Sequence, residues 1–479
     1  MYLGIDLGTS SVKLLLLSQQ GAVVESASRE LEVTRPYDGW SEQDPATWIT
    51  GVTGALSDLG KKQDVSSIRA IGLSGQMHGA TLIDKDGEVL RPCILWNDTR
   101  SFKEADELDA IGAFRETTGN IVFPGFTAPK INWVRRNEPE IFDRVSKVLL
   151  PKDYLRFWLT GECVSEMSDA AGTSWLDVEK RDWSDQLLAE TALSRDHMPA
   201  LVEGSAVSGY LRPTLAEKLR LEPNIPIAGG AGDNAASAIG AGIVNKGDAF
   251  ISLGTSGVLF TASDAYSPDP ETALHSFCHA LPNRWHQMGV ILSAADALSW
   301  FAKFSSQTVQ DLDGALGQLT APGRAMFLPY LGGERTPHND AKIRGAMIGL
   351  QHDTNAVSGA RAVMEGVAFA FCDSMEAMRA TGTNVASATA LGGGSNSKYW
   401  LEAIATVLNI QIDVPKDGDF GAAYGAARLG QIASGDADET IITKPAIDHA
   451  IEPNERLRPA FQDAYQRYKN TYLALKELS

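Results

Sequence analysis

Short apolar runs alternate with glycine-containing turns and longer amphipathic stretches through most of this chain. The runs at 2–7 and 12–17 flank a short polar turn, which predicts a β-hairpin, and 21–26 predicts a third antiparallel strand. The same pattern predicts further strands at 68–74, 92–95, 225–228, 249–253, 257–260, 387–391 and 411–415. The strand at 411–415 is predicted to lie at a sheet edge.

Apolar residues at three- and four-residue spacing predict the helices. The clearest runs from about Pro45 to Leu59, with Asp44 as its N-cap. A long helix is predicted to begin near His352 and to bury one apolar stripe. A small-residue helix at 421–427 is expected to pack closely on a neighbour, and an amphipathic helix ends the chain at about 459–478. Strands that alternate with helices indicate an α/β protein.

The opening hairpin has a second copy about halfway along the chain. Leu7-Gly8-Thr9-Ser10 aligns with Leu253-Gly254-Thr255-Ser256, and so do the apolar strands on both sides. A glycine lets a ligand approach such a turn, and its backbone N–H groups can bind a phosphate. The repeat therefore predicts two similar domains, 1–243 and 244–479, that hold one polyphosphate between two turns.

The two copies differ in their charged residues. Asp6 stands just before the first turn, where a carboxylate can hold a divalent cation, but it aligns with Ser252. Lys13 aligns with Leu259. A metal and a cation near the phosphates are therefore expected on the first copy. Without the repeat, the opening would be read as an ordinary hairpin whose Asp6 accepts hydrogen bonds in the turn.

Composition narrows the partners and the compartment. The chain has 479 residues, which suggests two large domains, and a formal net charge of −18, which argues against nucleic acid or an anionic membrane. Its four cysteines match neither a zinc spacing nor a disulfide scaffold. No signal peptide or membrane-spanning run is visible. We expect a cytoplasmic protein with reduced cysteines.

Two motifs after predicted strands are candidates for ligand binding. Gln76-Met77-His78-Gly79 stands where α/β folds bind ligands, although Met77 could be plain core and His78 a structural histidine. Trp96-Asn97-Asp98-Thr99-Arg100 combines an aromatic face with hydrogen-bonding groups, as sugar sites do. Asp98 and Arg100 could equally form a surface pair of little consequence.

Two glycine-rich turns are further candidates. In Gly229-Gly230-Ala231-Gly232-Asp233-Asn234, Asp233 begins a predicted helix whose dipole favours the ionised carboxylate, which could accept a proton from a hydroxyl. It could also be a simple N-cap. Gly392-Gly393-Gly394-Ser395-Asn396 offers a surface on which a flat ring can lie, although glycines also end strands for structural reasons. The polar turn at 168–173 suggests no chemistry.

In this order, the duplicated hairpin, the stretch ending in Asp233-Asn234 and the triple glycine resemble the carbohydrate kinases related to glycerol kinase, gluconokinase and xylulokinase. The resemblance covers nearly the whole chain. It implies two ribonuclease-H-like domains of the actin/hexokinase type, with mixed sheets flanked by helices, facing across a cleft. The motifs at 76–79 and 96–100 are similar to those of members that phosphorylate xylulose, whereas glycerol kinases carry an arginine–glutamate pair in place of Met77-His78. Ser18 departs from the family, where an acidic residue often ends the second strand.

The resemblance also implies roles for particular residues. ATP would phosphorylate the C5 hydroxyl of D-xylulose, with Asp233 as the base and Asp6 positioning Mg²⁺. Asp233 would also line the sugar site, together with Met77, His78, Trp96 and Asn234. The nucleotide would be bound by residues of both domains, which are Gly8, Thr9, Ser10, Lys13, Gly254 and Thr255 at the phosphates and Gly393, Gly394 and Asn396 near the adenosine. The expected partners are a small sugar and ATP, without nucleic acid or membrane, and a homodimer is expected by analogy.

Three alternatives remain open from the sequence. The acceptor could be another ketose or a sugar acid, such as ribulose or gluconate. The same duplicated fold occurs in actin-like and chaperone ATPases, which use the nucleotide as a switch and leave the cluster of Met77, His78, Trp96 and Asp233 unexplained. A sugar-responsive transcriptional regulator would need a DNA-binding module, yet the chain enters its first strand at Tyr2 and is strongly acidic.

Overall fold

The computed structural model describes residues 1–416 and 420–478 and contains two seven-stranded mixed sheets. In the first sheet, Tyr2–Leu7 pairs in parallel with Ala70–Gly75, which also pairs in parallel with two short strands. Its hairpin strands pair antiparallel. From one edge to the other, the strands are Val207–Tyr210, Pro226–Ala228, Ala70–Gly75, Tyr2–Leu7, Ser11–Leu17 and Val23–Glu30, and Ala231–Gly232 extends the pairing on Ala70–Gly75.

The second sheet repeats this arrangement. Ala249–Leu253 and Gly257–Ser263 form a hairpin, and the first of them pairs in parallel with Ser387–Leu391. Its strands, in order across the sheet, are His275–Cys278, Trp285–Ile291, Gly257–Ser263, Ala249–Leu253, Ser387–Leu391, Gln411–Pro415 and Ile447–Ile451. The predicted duplication is therefore confirmed. The prediction that 411–415 lies at an edge is wrong, because Ile447–Ile451 pairs with its outer side.

Helices surround both sheets. The predicted helix Pro45–Leu59 is confirmed, including the Asp44 cap. The long helix begins at Ala356 rather than near His352, because Asn355 and Ser358 form a capping box there. The α-helices are Pro45–Leu59, Phe102–Asp109, Gly112–Thr118, Thr127–Asn137, Pro139–Phe142, Pro151–Thr160, Met167–Ala170, Asp185–Glu190, Pro213–Leu219, Asp233–Gly240, Ala295–Phe304, Val309–Leu316, Ala356–Ala380, Lys398–Leu408, Ala422–Ala433 and Arg458–Lys476.

Short elements connect these layers. The 3₁₀ turns are Val65–Ser67, Ala171–Thr173, Arg195–His197, Pro270–Thr272, Gly393–Asn396 and Glu439–Ile441. Within residues 1–416 and 420–478, five pairs of short strands lie outside the two sheets, namely Glu42–Gln43 with Cys93–Ile94, Thr81–Ile83 with Lys147–Leu149, Val164–Glu166 with Ala200–Val202, Leu176–Asp177 with Asp182–Trp183, and Met326–Leu328 with Ala346–Ile348. Among the described helices, none has the length and apolar character needed to cross a membrane.

The small-residue helix Ala422–Ala433 joins the two halves. It lies in sequence between two strands of the second sheet, Gln411–Pro415 and Ile447–Ile451, but packs on the strands of the first. A Cβ atom placed on Gly4 would lie 1.8 Å from the carbonyl oxygen of Ala423, and one on Gly72 would lie 1.7 Å from that of Ala426. Backbone therefore packs directly on backbone, which only glycine allows at these two strand positions. The predicted close packing is confirmed.

Candidate active site

Three parallel strands of the first sheet end at the same edge. Leu7 is in register with Gly75, and Gly75 is in register with Gly232. The first turn, the Met77-His78 motif and Asp233 each follow one of these strands directly. Ligands of α/β proteins bind at the carboxyl ends of such strands. The structure thus brings together three sequence-predicted groups that are far apart in the chain.

The first turn is held by a ring of side-chain hydrogen bonds. The Thr9 hydroxyl donates to Gln76 Oε1 at 3.0 Å and accepts from Trp96 Nε1 at 2.9 Å. Gln43 Nε2 donates to the Thr9 carbonyl at 2.7 Å, and Gln43 Oε1 accepts from Gln76 Nε2 at 2.9 Å. Because a hydroxyl has one proton, the Thr9 hydroxyl points at Gln76 in this arrangement. Its backbone N–H is the donor that Thr9 can offer a phosphate while the ring is closed.

Gly8 and its neighbours behave differently from what the turn sequence suggests. Gly8 does not adopt a positive φ, and a Cβ atom on it would lie 3.0 Å from the Ser11 carbonyl oxygen. A left-handed backbone conformation therefore does not explain why this position is a glycine. Among the described residues, the Ser11 carbonyl oxygen is the one neighbour that a Cβ atom would meet within 4 Å, so the rest of the space around Gly8 is open to a ligand. Ser10 is exposed, whereas Gly8 and Thr9 are half-buried.

Asp6 and Lys13 face each other across the first hairpin. The two residues are paired in the antiparallel register and both are half-buried. Among the described residues, no group of three or more His, Cys, Asp and Glu side chains could hold a metal ion. A single carboxylate beside a phosphate turn suits Mg²⁺, which takes most of its ligands from phosphates and water.

His78 is fixed as a neutral imidazole. Its Nδ1 lies 2.7 Å from the carbonyl oxygen of Gly172, and a carbonyl can only accept, so Nδ1 carries the proton. Burial lowers the pKa of His78 to about 3. Its ring stacks on Phe126 at 4.4 Å between centroids. Nε2 is thereby left as an acceptor, which is the group needed to bind a sugar hydroxyl.

Met77 packs beneath the glycines of the neighbouring segment. It is 6% exposed, and a Cβ atom on Gly232 would lie 3.0 Å from Met77 Sδ. A Cβ atom on Gly172 would lie 3.2 Å from Met77 Cε. Met77 therefore fills the space between the segments that contain Gly172 and Gly232. This packing role does not prevent Met77 from contacting a sugar as well.

Asp233 is the first residue of the helix Asp233–Gly240, and Gly232 is the N-cap. The N-cap alternative for Asp233 is therefore wrong. Its Oδ1 accepts from the backbone N–H of Asn234 at 2.7 Å and from Asn234 Nδ2 at 2.9 Å. Burial raises the pKa of Asp233 to about 6, against the opposing effect of these hydrogen bonds. The net shift of this pKa is therefore upward, opposite to the direction that the helix dipole suggested from the sequence, yet the carboxylate form still predominates at pH 7.

The Asp98–Arg100 pair is buried and does not form the surface pair considered above. Arg100 donates to Asp98 through Nε at 2.9 Å and Nη2 at 2.7 Å, and its Nη1 lies 2.7 Å from Glu42. The guanidinium lies 3.5 Å from the centroid of the Trp40 ring. This cluster fixes the loop that presents Trp96, whose side chain is 46% exposed and free to stack on a ligand.

The second turn is tighter than the first. Four residues separate Leu7 from its partner Val12, whereas three separate Leu253 from Gly257. Ser252 consequently faces Val258, and Leu259 is not the register equivalent of Lys13. The sequence alignment did not predict this difference.

Backbone groups hold the second turn in place. Ala294 N donates to the Thr255 carbonyl and Ala295 N to the Gly254 carbonyl, both at 2.9 Å. The side chain of Thr255 is exposed. Its hydroxyl is thus not drawn into a buried network like that of Thr9.

The triple glycine lies against the strand that leads into the second turn. A Cβ atom on Gly394 would lie 2.8 Å from Leu253 Cβ, whereas one on Gly393 would meet nothing within 4 Å. The open face of Gly393 is available to a flat ring. This places the predicted adenosine surface beside the second phosphate turn.

A cavity of about 830 Å³ lies between the two halves. Asn234 and Ser237 line it from the first half, and Ser252, Gly392 and Asn396 from the second. Met77, His78 and Trp96 are not among its lining residues. The cavity therefore extends from Asn234 to the triple-glycine region, and the residues of the two sugar motifs lie outside its lining.

The second half also supplies residues beside His78, and the sequence analysis missed them. Arg335 lies 4.3 Å from the centroid of the Phe123 ring, and its Nη1 donates to His275 Nε2 at 3.5 Å. Burial lowers the pKa of His275 well below its usual value and that of Arg335 to about 10. No local sequence pattern indicated His275, Arg335 or Gln43, the glutamine in the hydrogen-bond ring around Thr9. The contacts that place these residues in the site are to positions far away in the chain.

Comparison with known proteins gives full-length matches. The N-terminal domain of the FGGY family of carbohydrate kinases matches residues 1–240, and its C-terminal domain matches residues 249–434. The xylulose kinase of Escherichia coli K12 is 47% identical over 483 aligned positions that cover 100% of both chains.

Solved structures agree with this result. A structure described as a xyloylose kinase from Brucella ovis is 59% identical, covers 100% of both chains and superposes with a TM-score of 0.98. A gluconate kinase from Lactobacillus acidophilus is 27% identical, with a TM-score of 0.93 over 99% of this chain and 97% of the other. Both therefore share the fold of this chain over all or nearly all of their length.

Proposed function

Because this chain belongs to the FGGY family of carbohydrate kinases, we propose that it transfers the γ-phosphoryl group of ATP to the C5 hydroxyl of D-xylulose, giving D-xylulose 5-phosphate and ADP. Full-length similarity to xylulose kinases supports this acceptor. One observation carries the proposal most strongly. The candidate base Asp233, the neutral acceptor His78 and the first turn follow three parallel strands that end together.

Asp233 is proposed to accept the proton of the attacking hydroxyl. Its ionised form predominates above about pH 6, and its Oδ1 is oriented by Asn234. The sugar oxygen forms a bond to the γ-phosphorus while the bond to the β–γ bridging oxygen breaks, and ADP leaves. The proton passes to Asp233, so the step balances. Most of the rate enhancement in such a transfer comes from positioning and charge stabilisation.

Sugar specificity is proposed to come from the residues around His78. Nε2 of His78 would accept a hydrogen bond from a sugar hydroxyl, since Nδ1 is occupied by Gly172. Trp96 would stack on an apolar face of the sugar, because its ring is partly exposed and its Nε1 is held by Thr9. Met77 and Asn234 would complete the wall of the site.

The nucleotide is proposed to lie across the cavity between the halves. Backbone N–H groups of the turns at 8–10 and 254–255 would bind the phosphates, with Lys13 nearby. The adenosine would lie near Gly393, Gly394 and Asn396, because Asn396 lines the cavity and Gly393 has an open face. Asp6 would hold Mg²⁺, which stabilises the charge that develops on the phosphate oxygens. The chain's own contribution is to align these groups and to exclude water from the cleft.

A sugar panel tests the proposed acceptor. ADP release is measured with D-xylulose, D-ribulose, D-gluconate and glycerol, each over a range of concentrations with Mg-ATP. We expect the highest kcat/KM with D-xylulose and product phosphorylated at C5 by NMR. A preference for gluconate or ribulose would overturn the acceptor but leave the kinase class intact. ATP hydrolysis that no sugar stimulates would favour an ATPase switch.

A further inference from the structure

Five fully buried charged residues lie behind the Asp233 turn, outside the groups assigned to substrates. Lys152 Nζ lies 2.8 Å from Asp153, 3.3 Å from Glu166 and 3.0 Å from Asp169. Arg156 adds a second cation, 3.5 Å from Asp153. None of the five side chains is exposed to solvent. Buried charges are rare and costly unless paired, so this cluster calls for an explanation.

The opposite charges of this cluster are paired with one another. Burial disfavours the Lys152 ammonium, but the three carboxyl groups outweigh this effect and raise its pKa. Burial raises the pKa of Asp169 well above its usual value, against the attraction of Lys152. Two cations therefore face three carboxyl groups at ion-pair distances. Charged groups that are paired in this way can remain buried, and the remaining donors of the cluster are available to hold backbone.

Arg156 uses its donors on the strand that leads to Asp233. Its Nη1 donates to the carbonyl of Ala228 at 2.6 Å and its Nη2 to that of Gly229 at 2.6 Å. Nη1 also contacts the Ser208 hydroxyl, which in turn donates to the carbonyl of Ile227 at 2.9 Å. Two consecutive carbonyls at the start of the glycine turn are thus fixed by one planar guanidinium.

Ser168 connects the same cluster to the residue before Asp233. Its hydroxyl accepts from the backbone N–H of Gly232 at 3.1 Å and donates to Glu166, with the oxygens 2.8 Å apart. Glu166 also accepts from the backbone N–H groups of Ser168 at 2.7 Å and Asp169 at 2.9 Å. The turn carrying Ser168 is therefore rigidly tied to Lys152 through Glu166.

The same turn also reaches His78. Gly172 follows Ser168 by four residues, and its carbonyl fixes the His78 tautomer. A Cβ atom on Gly172 would lie 2.4 Å from His78 Cε1, so the His78 ring packs directly on the backbone of Gly172. One short segment, 166–173, thus contacts both Gly232, which precedes the proposed base, and His78, which is proposed to accept a hydrogen bond from the sugar.

We infer that the segment 166–173, anchored by Lys152 and Arg156, positions Asp233 relative to His78, with Ser168 as its contact to Gly232, the residue before the base. The inference rests on the proposed role of Asp233. It predicts that Ser168 matters for phosphoryl transfer more than for folding or for sugar affinity. The turn for which the sequence suggested no chemistry would then act through its neighbours.

The test compares two serine variants. Ser168→Ala removes the hydroxyl between Gly232 and Glu166. Ser165→Ala is the matched control, because Ser165 is equally buried on the adjoining strand and the described residues offer its hydroxyl no hydrogen-bond partner. Steady-state kinetics with D-xylulose and Mg-ATP, thermal unfolding and hydrogen exchange of the peptide 229–236 are measured for both.

We expect Ser168→Ala to lower kcat about tenfold or more, to change the KM for D-xylulose by less than about threefold, and to speed exchange in 229–236, since small misplacements cost large factors in rate. Ser165→Ala should match the wild type. A kcat and an exchange rate like those of Ser165→Ala would overturn the positioning role. Asp233→Asn, measured alongside, separates the two proposals, because near-normal turnover in that variant would overturn the role of Asp233 itself.

If Ser168→Ala is too unstable for kinetics, hydrogen exchange at low temperature decides the question. Faster exchange confined to 229–236 would support the inference, because Gly232 N–H has then lost its acceptor. Uniformly faster exchange across both halves would overturn it in favour of a general structural role.

Discussion

The two copies of the phosphate turn differ in what holds them and in what they carry. The first turn carries Asp6 and Lys13 on its flanking strands and is braced by side chains of Gln43, Gln76 and Trp96. The second turn is one residue shorter, carries no charge at the aligned positions and is held by backbone hydrogen bonds from the helix Ala295–Phe304. The two hairpins thus have equivalent places in their sheets, but only the first carries charged side chains beside its turn.

This difference fits the proposal that the sugar site lies in the first half. The brace on Thr9 is made by Gln76 and Trp96, which belong to the two motifs proposed to bind the sugar. The proposed phosphate turn and the proposed sugar site therefore share one hydrogen-bond network, whereas the strand that leads into the second turn contacts the triple glycine. In the proposed arrangement, each half would bind its part of the two substrates, with Asp233 where the parts meet.

The charged positions should give the largest contrast between the turns. Asp6→Asn removes the carboxylate proposed to hold Mg²⁺, and we expect kcat to fall about 10²–10³-fold, as for loss of one electrostatic contact to the transition state. Ser252→Ala, at the aligned position of the second copy, should stay within about threefold. Turnover at saturating Mg-ATP and sugar checks both. Equal losses in the two variants would contradict the asymmetry.

The pH profile sharpens the contrast, because the proposed base lies in the first half. Burial raises the pKa of Asp233 to about 6, so the carboxylate is lost as the pH falls through 6. The value of kcat/KM should therefore decline about tenfold for each pH unit below 6 and level off above it. Initial rates between pH 4.5 and 8.5 measure this. A flat profile across pH 5 to 7 would count against an Asp233 with this environment.

Removal of the threonine hydroxyl from each turn compares the first turn, which is held by side-chain hydrogen bonds, with the second, which is held by backbone hydrogen bonds. Thr9→Val leaves Gln76 and Trp96 without their partner, so the free energy of unfolding should fall by about 1–3 kcal/mol. Thr255→Val, at an exposed side chain, should change it by less than about 0.5 kcal/mol. Denaturant unfolding of both variants provides the measurement. A larger loss for Thr255→Val would reverse the comparison.

The smallest effect is expected from loss of the hydrogen bond that joins Trp96 of the proposed sugar site to Thr9 of the first turn. Trp96→Phe keeps an aromatic face but loses the hydrogen bond to Thr9, a contact worth about 1 kcal/mol. We expect the KM values for sugar and ATP to rise together by about two- to fivefold. A change in sugar KM alone would show that Trp96 acts by stacking without supporting the turn.

Local patterns predicted much of the scaffold but little of the fine geometry. The repeat of Leu-Gly-Thr-Ser predicted two equivalent hairpins, and apolar runs located their strands. The register difference between the hairpins depends on turn closure, to which the alternation of apolar residues is insensitive. The strand Ile447–Ile451, which pairs with the outer side of 411–415, is mostly exposed and lacks an apolar run, so the sequence pattern gives no sign of it.

The candidate site residues likewise divide into those that a local sequence pattern indicates and those that only long-range contacts reveal. Asp233, Asn234 and His78 stood out because glycines surround them or precede them at strand ends. Gln43 and Ser168 gave no such signal, since their contacts reach residues 33 and 64 positions away. The raised pKa of Asp233 was also not foreseen, because the helix dipole can be read from sequence but burial cannot.

The role of Asp233 is tested most directly by Asp233→Asn, which keeps the shape of the side chain and removes the base. Sugar-dependent ADP release is measured at pH 8, with ATP binding determined separately by calorimetry. The account predicts a loss of about 10²–10⁴-fold in kcat with ATP affinity within about threefold of the wild type, as expected for loss of a general base. A variant that retains more than about a tenth of wild-type turnover would contradict it.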